Sequence, residues 1–178
     1  RRYADDSFIS TINLKRITPM ADNEQQSDRQ FMVHRIYTKD LSYESPNAPD
    51  IFRQEWQPNH ELNLNTKVNK LEDNAYEVVL SVTVTTKIGD KTAVIVEVHQ
   101  AGLFGVQGFP EPELGPLLGA YCPNLLFPYA REVVSDLVTK GSFPQLVLQP
   151  VNFDALFAQH QQKMSEQIKG EPGTAAQH

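Results

Sequence analysis

Hydrophobic and polar residues alternate along the first patterned part of the chain. One parity holds Phe31, Val33, Tyr37, Leu41 and Tyr43, and the other holds His34, Thr38, Asp40, Ser42 and Glu44. Successive side chains of a strand point to opposite faces, so this pattern predicts a strand with two different faces. Pro46 and Pro49 remove backbone donors and are expected to end it. A second strand is predicted around Leu62 and Leu64.

The strongest alternation runs from Tyr76 to Val84, and a further apolar run extends from residue 92 to 98. A short segment that contains Gly89 and Asp90 separates the two runs. The β-branched residues and the glycine turn predict a β-hairpin. Residues 103–110 are apolar but interrupted by glycine and proline, and we expect a loop or a strand end there.

Helical spacing dominates the second half of the chain. A short helix is expected over residues 113–120, although Gly115 and Pro116 weaken it. A longer helix is predicted to begin at Pro123 and to end at Gly141, and another to begin after Asn152 as its N-cap. Because the strands precede the helices, the sequence predicts an α+β fold, a four-stranded antiparallel sheet with two or three helices packed on one side.

The composition fits one globular domain, which we place at residues 30–168. The 178 residues are 40% hydrophobic and 21% charged, and a chain of this size can bury a core without disulfides or a metal. The single cysteine, Cys122, is compatible with a reducing cytoplasm. No run of about 18 apolar residues occurs, so we expect no membrane insertion.

Both ends of the chain are expected to lie outside this domain. Met20 begins a polar stretch that resembles a natural start, so residues 1–19 form an appended segment of unknown origin and residues 20–29 a flexible N-terminal segment. Residues 1–19 are either a cloning remnant or a fused ligand segment, and the sequence leaves both open. Residues 169–178 are predicted to be a flexible tail.

The sequence shows no linear catalytic pattern, so we expect a protein that is not an enzyme and needs no cofactor or metal. The five histidines are scattered, and the glycines after residue 101 lack the spacing of a phosphate loop. Cys122 precedes a predicted helix, which would favour a thiolate, but a buried structural cysteine is the preferred interpretation. An enzyme with a scattered site is the alternative.

Charge and surplus apolar residues point to binding instead. The net charge is −6, while the first 19 residues carry four basic and two acidic side chains, so the main body is acidic. This balance disfavours nucleic acid as a partner and favours a basic protein surface. Asp40 and Glu44 share one parity, and Glu97 shares its parity with Ile95, which suggests a docking face; a solvated sheet face is the alternative.

Several apolar residues lie in segments expected to be irregular. They are Trp56, Leu103, Phe104, Val106, Phe109, Leu146 and Leu148. Together they are typical of a groove for extended peptides, and ordinary packing is the alternative for each one.

Seven short motifs resemble the SecB family of protein-export chaperones. They are RIYTKD at 35–40, ESPNAP at 44–49, WQP at 56–58, YEVVL at 76–80, LGAYCPN at 118–124, LFPYARE at 126–132 and the stretch from FPQL at 143–146 to PVNFDALF at 150–157. They occur in the family's order and span nearly all of residues 30–158. Residues 1–19 have no family counterpart, and Val94 and Val96 lie at positions where the aliphatic residue varies within the family.

The resemblance implies a cytoplasmic homotetramer, a dimer of dimers, that binds unfolded preproteins and delivers them to the SecA motor without using ATP. It places the SecA-facing surface at Asp40, Glu44, Ile95 and Glu97. It places the client groove at Trp56, Leu62, Leu64, Leu146, Leu148 and Phe157. It places the tetramer-forming helix contacts at Tyr129, Val133, Val134 and Leu137. A general holdase or a structural oligomer without a dedicated export role is the alternative.

Overall fold

The computed structural model describes residues 29–170, so the appended segment and nearly all of both predicted flexible ends lie outside the described residues. Strand β1 spans Gln30–Glu44, β2 Pro58–Glu72, β3 Ala75–Ile88 and β4 Lys91–Gln107. All neighbours are antiparallel, and the strand order is β1-β4-β3-β2. Helix α1 spans Glu111–Pro116, α2 Cys122–Lys140 and α3 Phe153–Gly170. The α+β prediction is confirmed.

The hairpin between β3 and β4 is confirmed, with Ile88 opposite Lys91 and Gly89 at a φ of 55°. A positive φ costs glycine little, which explains why the turn falls there. For residues 103–110 we expected a loop or a strand end, and the structure shows that β4 continues to Gln107. β4 is hydrogen-bonded on both sides, by β1 and β3, so its ladder keeps the glycine-containing segment extended.

Strand β1 departs from the predicted alternation at two bulges. The register with β4 shifts between Val33 and Arg35 and again between Thr38 and Asp40. Each bulge inserts one residue and turns the following side chains to the other face. Tyr37, which lies between the bulges, therefore faces away from the helices, whereas the prediction grouped it with Phe31 and Leu41.

The helix predicted to begin at Pro123 is the continuation of an earlier one. A π-helical segment, Leu117–Tyr121, connects α1 directly to α2, and the Cys122 amide donates to the Leu117 carbonyl five residues back. A proline ring collides with the carbonyl four residues earlier in a regular α-helix. The wider π turn lies directly before Pro123 and leaves space for its ring. Gly141 ends α2, as predicted.

The core lies between α2 and one face of the sheet, which we name the helix face. Side chains at every second position of β3 and β4 fill it, among them Leu80, Val82 and Val98, and Ala130, Val134 and Val138 of α2 cover them. Burial on this face stabilises the fold by roughly 1.5–3 kcal/mol for each large aliphatic side chain. The opposite side of the sheet, which we name the open face, carries no helix of the described part of the chain.

Candidate functional site: an acidic sheet face and an apolar groove

The open face brings together the four residues predicted to face SecA. Glu44 of β1 lies opposite Ile95 of β4, Ser42 lies opposite Glu97, and Asp40 lies opposite His99. Paired residues of neighbouring strands share a face, so the three carboxylates surround Ile95 and His99 in adjacent rows. Parity had grouped Asp40 with Glu44 and Ile95 with Glu97, and the strand register places both groups in this acidic patch.

A histidine that sequence reasoning left unassigned belongs to the acidic patch. His99 Nε2 lies 2.9 Å from Glu97 Oε1. Both side chains are partly exposed, so the pair remains accessible to a partner. The signal was available, because His99 has the same parity as Glu97 on an uninterrupted strand.

Glu77 of β3 holds a second polar cluster on the open face, which we name the Glu77 network. Lys39 Nζ donates to both carboxylate oxygens at 2.7 and 2.9 Å, the Tyr37 hydroxyl donates at 2.5 Å, and the Asn69 amide donates at 2.9 Å. The bonds from Lys39 and then Tyr37 lower the pKa of Glu77 from 4.5 to about 2, against the effect of its burial. The same bond to Glu77 raises the pKa of Tyr37 to about 12.

The other side of the molecule carries a groove of about 880 Å³ between the β2 edge, the α1–π segment and α3. Leu62 and Leu64 of β2 line one wall, and Leu156 and Phe157 of α3 line another. Charged groups stand among them: Lys70, Glu111 and Lys163. Apolar and charged side chains thus line the groove together, which suits a polypeptide of mixed sequence.

Asn152 caps the start of helix α3, and Phe157 packs the helix against the π-helical segment. The side-chain oxygen of Asn152 accepts a hydrogen bond from the Ala155 amide at 3.0 Å, which confirms the predicted N-cap. Phe157 rests on Gly119, where an added Cβ would lie 2.5 Å from the ring. Glycine is therefore required at this approach, and Phe157 forms a wall of the groove.

The six residues predicted for the client groove fall into separate places. Leu62, Leu64 and Phe157 line the groove, whereas Trp56 stacks with Phe143 at 5.6 Å in a different aromatic cluster. Leu148 is buried in the core and Leu146 is only partly buried.

Phe52 extends that aromatic cluster and was missed by sequence reasoning. Its ring centroid lies 5.1 Å from that of Phe143, and half of its surface is exposed. It stands in a short 3₁₀ turn, Asp50–Arg53, in the same irregular segment as Trp56, which was the available signal.

The four residues of α2 that were predicted to make oligomer contacts differ in their exposure. Tyr129 is half exposed, and Val133 and Leu137 are partly buried and pack against the border of the core. Val134 is fully buried against the sheet. Its side chain packs within its own chain and is not available to another copy.

Cys122 is fully buried, and burial raises the pKa of its thiol to about 12. The thiol therefore stays protonated, and the buried structural cysteine is confirmed over the thiolate. Within residues 29–170, no three side chains of His, Cys, Asp or Glu are grouped to hold a metal ion. No helix of that same part of the chain is long and apolar enough to cross a membrane.

This geometry describes an α+β protein with an acidic patch on one side of its sheet and an apolar groove on the other. The SecB family, described as preprotein translocase subunit SecB, matches residues 24–164. The chain therefore belongs to the SecB family, and a chaperone role in protein export follows from this membership.

Three proteins named protein-export protein SecB are close relatives. The one from Methylococcus capsulatus is 53% identical over 150 residues, which cover 84% of this chain and 97% of the relative. The one from Marinobacter nauticus is 56% identical, covering 85% and 92%. The one from Nitrosococcus oceani is 58% identical, covering 82% and 90%.

A solved structure shares the fold at much lower sequence identity. It is a SecB-like chaperone of Mycobacterium tuberculosis in complex with a ChAD peptide from an antitoxin, with a TM-score of 0.58 and 20% identity. The match covers 68% of this chain and 90% of that chain.

Proposed function

We propose that this chain holds unfolded preproteins in an export-competent state and delivers them to SecA, in the cytoplasm and without using ATP. The observation that carries the proposal is the placement of two chemically different surfaces on opposite sides of one sheet. An apolar groove suits an unfolded client, and an acidic patch suits a basic segment of the motor.

The groove supports holding by many weak contacts. Leu62, Leu64, Leu156 and Phe157 offer apolar surface in a groove that is partly open to solvent. Each immobilised client side chain costs about 0.5–1.5 kcal/mol in entropy, so a short segment gains little on binding. Useful affinity then comes from a long client that occupies several grooves of an oligomer. The aromatic cluster around Trp56 and Phe143 is a second contact region for the same client.

The acidic patch supports docking of a basic partner. Asp40 and Glu44 are exposed carboxylates, Glu97 in a neighbouring row is partly exposed, and Ile95 between them offers an apolar contact. Charges at such a partly exposed surface favour fast and specific association more than high affinity. Salt is expected to weaken it.

Assembly as a dimer of dimers requires two different self-complementary contacts. The side of α2 that carries Tyr129, Val133 and Leu137 is one candidate. The edge of β1 that no described strand pairs is the other, because it exposes Met32, Val33 and Leu41. The α2 surface is separate from the acidic patch, whereas the β1 edge belongs to the strand that also carries Asp40 and Glu44.

The test is a titration of an unfolded preprotein into the full chain, followed by addition of SecA, with the mass of each complex measured. We expect a tetramer that binds the unfolded preprotein, ignores its folded form and forms a ternary complex with SecA. A parallel titration without residues 1–19 tests whether that segment competes with clients. Client binding with no SecA binding would favour the general holdase, and equal binding of folded and unfolded forms would favour a structural oligomer.

A further inference from the structure

The second bulge of β1 lies directly before the acidic patch. Thr38 pairs with Gln100 and Asp40 pairs with His99, so β1 advances two residues while β4 advances one. Lys39 is the inserted residue. The bulge thus separates the part of β1 that carries Tyr37 from the part that carries Asp40 and Glu44.

This inserted residue decides which way the docking carboxylates face. Tyr37 points to the open face, where it reaches Glu77. Uninterrupted alternation from Tyr37 would place Leu41 and Tyr43 on the open face and turn Asp40 and Glu44 towards the helices. With the bulge, Leu41 pairs with the buried Val98, and Tyr43 packs its hydroxyl against Gly141 at the end of α2.

Glu77 holds the inserted residue from another strand. Its carboxylate accepts two hydrogen bonds from the Lys39 ammonium and is itself only 7% exposed. Tyr37 and Asn69 fix its orientation from β1 and β2. A buried anion with three donors is a rigid anchor. It also draws the Lys39 ammonium away from Asp40, its neighbour in sequence.

We propose that Glu77 is a positioning residue for the acidic patch: by holding Lys39 in the bulge, it keeps Asp40 and Glu44 on the open face. This inference rests on the proposed docking function of that patch. It adds a residue that touches no partner and yet determines how the patch is presented.

Lys39→Met gives a test in which positioning and net charge predict opposite signs. The variant makes the open face more negative, so charge alone predicts tighter binding of a basic partner. Positioning predicts that affinity for SecA falls about three- to tenfold, because the bulge loses its anchor. Lys39→Arg retains the ion pair and should bind like the wild type, and Glu77→Gln should weaken binding as Lys39→Met does.

Lys67→Met is the matched control for charge. Lys67 lies on the same face opposite Val79 and forms no ion pair with any residue that the structure describes. Its loss should leave SecA affinity unchanged or slightly raised. Unchanged or tighter binding by Lys39→Met, at the level of Lys67→Met, would overturn the inference.

A second measurement needs no partner. Methyl NMR of the full tetramer should show a contact between Leu41 and Val98 in the wild type and in Lys39→Arg, and its loss or weakening in Lys39→Met and Glu77→Gln. Retention of the full contact in these two variants would refute the positioning role even if SecA binding fell. If the wild type does not bind SecA, the docking function fails, while the Leu41 contact still decides whether Glu77 positions the strand.

Discussion

The open face and the groove differ in how they are built. The acidic patch and the Glu77 network lie on strands of the sheet. Strand β4 is paired on both sides, and short hydrogen bonds from Tyr37 and Lys39 to Glu77 connect β1 with β3. The groove instead lies between a sheet edge and α3, which Phe157 packs against the π segment and Phe153 packs against α2. A rigid charged face suits one defined partner, whereas a loosely walled apolar groove suits many. The difference suggests that selectivity lies on the open face.

Client length should give the largest effect if the groove works by repeated weak contacts. We expect an apolar peptide of about ten residues to bind at least about a hundredfold more weakly than a full-length unfolded preprotein, because the long chain engages several sites. Calorimetric titration of both ligands at one salt concentration checks this. Equal affinities would mean that the groove is a single strong pocket like a conventional ligand site.

Neutralising the acidic patch should affect SecA binding but not client binding. The triple variant Asp40→Asn, Glu44→Gln and Glu97→Gln is expected to lose about ten- to hundredfold in affinity for SecA, because three complementary charges are removed. Wild-type affinity should fall with rising salt, and that of the variant should depend on salt less. Client binding serves as the control and should stay within about twofold. A parallel loss of client binding would show that the surfaces are not independent.

The Glu77 network predicts how the stability of the open face depends on pH. The pKa of Glu77 is lowered in the folded protein from 4.5 to about 2, so its contribution is complete above pH 4.5 and is lost as the pH falls towards 2. We expect this loss to be about 2 kcal/mol, since solvent screens the half-exposed Lys39. Denaturant unfolding at pH 5 and pH 3, at fixed protein concentration, measures the part of this loss that falls between those pH values, which is about half of it.

Glu77→Gln is the reference for this pH dependence, because glutamine does not titrate. It should be less stable than the wild type at pH 5, and the difference should shrink at pH 3. A constant difference between the two proteins would contradict the lowered pKa.

Shortening one wall of the groove should give the smallest effect. Phe157→Ala is expected to weaken client binding about three- to tenfold, because one of many apolar contacts is lost. Val147→Ala removes an exposed apolar side chain outside the groove and is the matched control. SecA binding should be unchanged in both. Loss of affinity in Val147→Ala to the same extent would show that clients bind apolar surface without using the groove.

Alternation predicted the sheet and the acidic patch but could not reveal the bulges. Alternation placed Asp40 and Glu44 on one face because no bulge lies between them. It placed Ile95 and Glu97 on one face because β4 is regular there. Alternation placed Tyr37 on the wrong face. A bulge depends on hydrogen bonds to the partner strand, and these bonds cannot be recognised from the spacing of residues in β1.

The helices show a similar limit. Ala130, Val134 and Val138 recur every four residues and face the sheet. Helical periodicity could therefore have separated Val134 from the less buried row of Tyr129, Val133 and Leu137. The resemblance gave a role to each groove residue but no distances. For that reason it could not show that Trp56 and Phe157 belong to different clusters, since their separation depends on how the loop before β2 and helix α3 pack.

The burial of Cys122 makes the chain convenient for spectroscopic work. It is the single cysteine of the whole sequence, and its protonated, inaccessible thiol should not react with maleimide reagents at neutral pH. A cysteine introduced at a chosen position on the open face or beside the groove would then be the one labelled site. Fluorophores placed there in separate preparations could report, within one assembly, whether a client leaves its groove before, during or after the motor arrives.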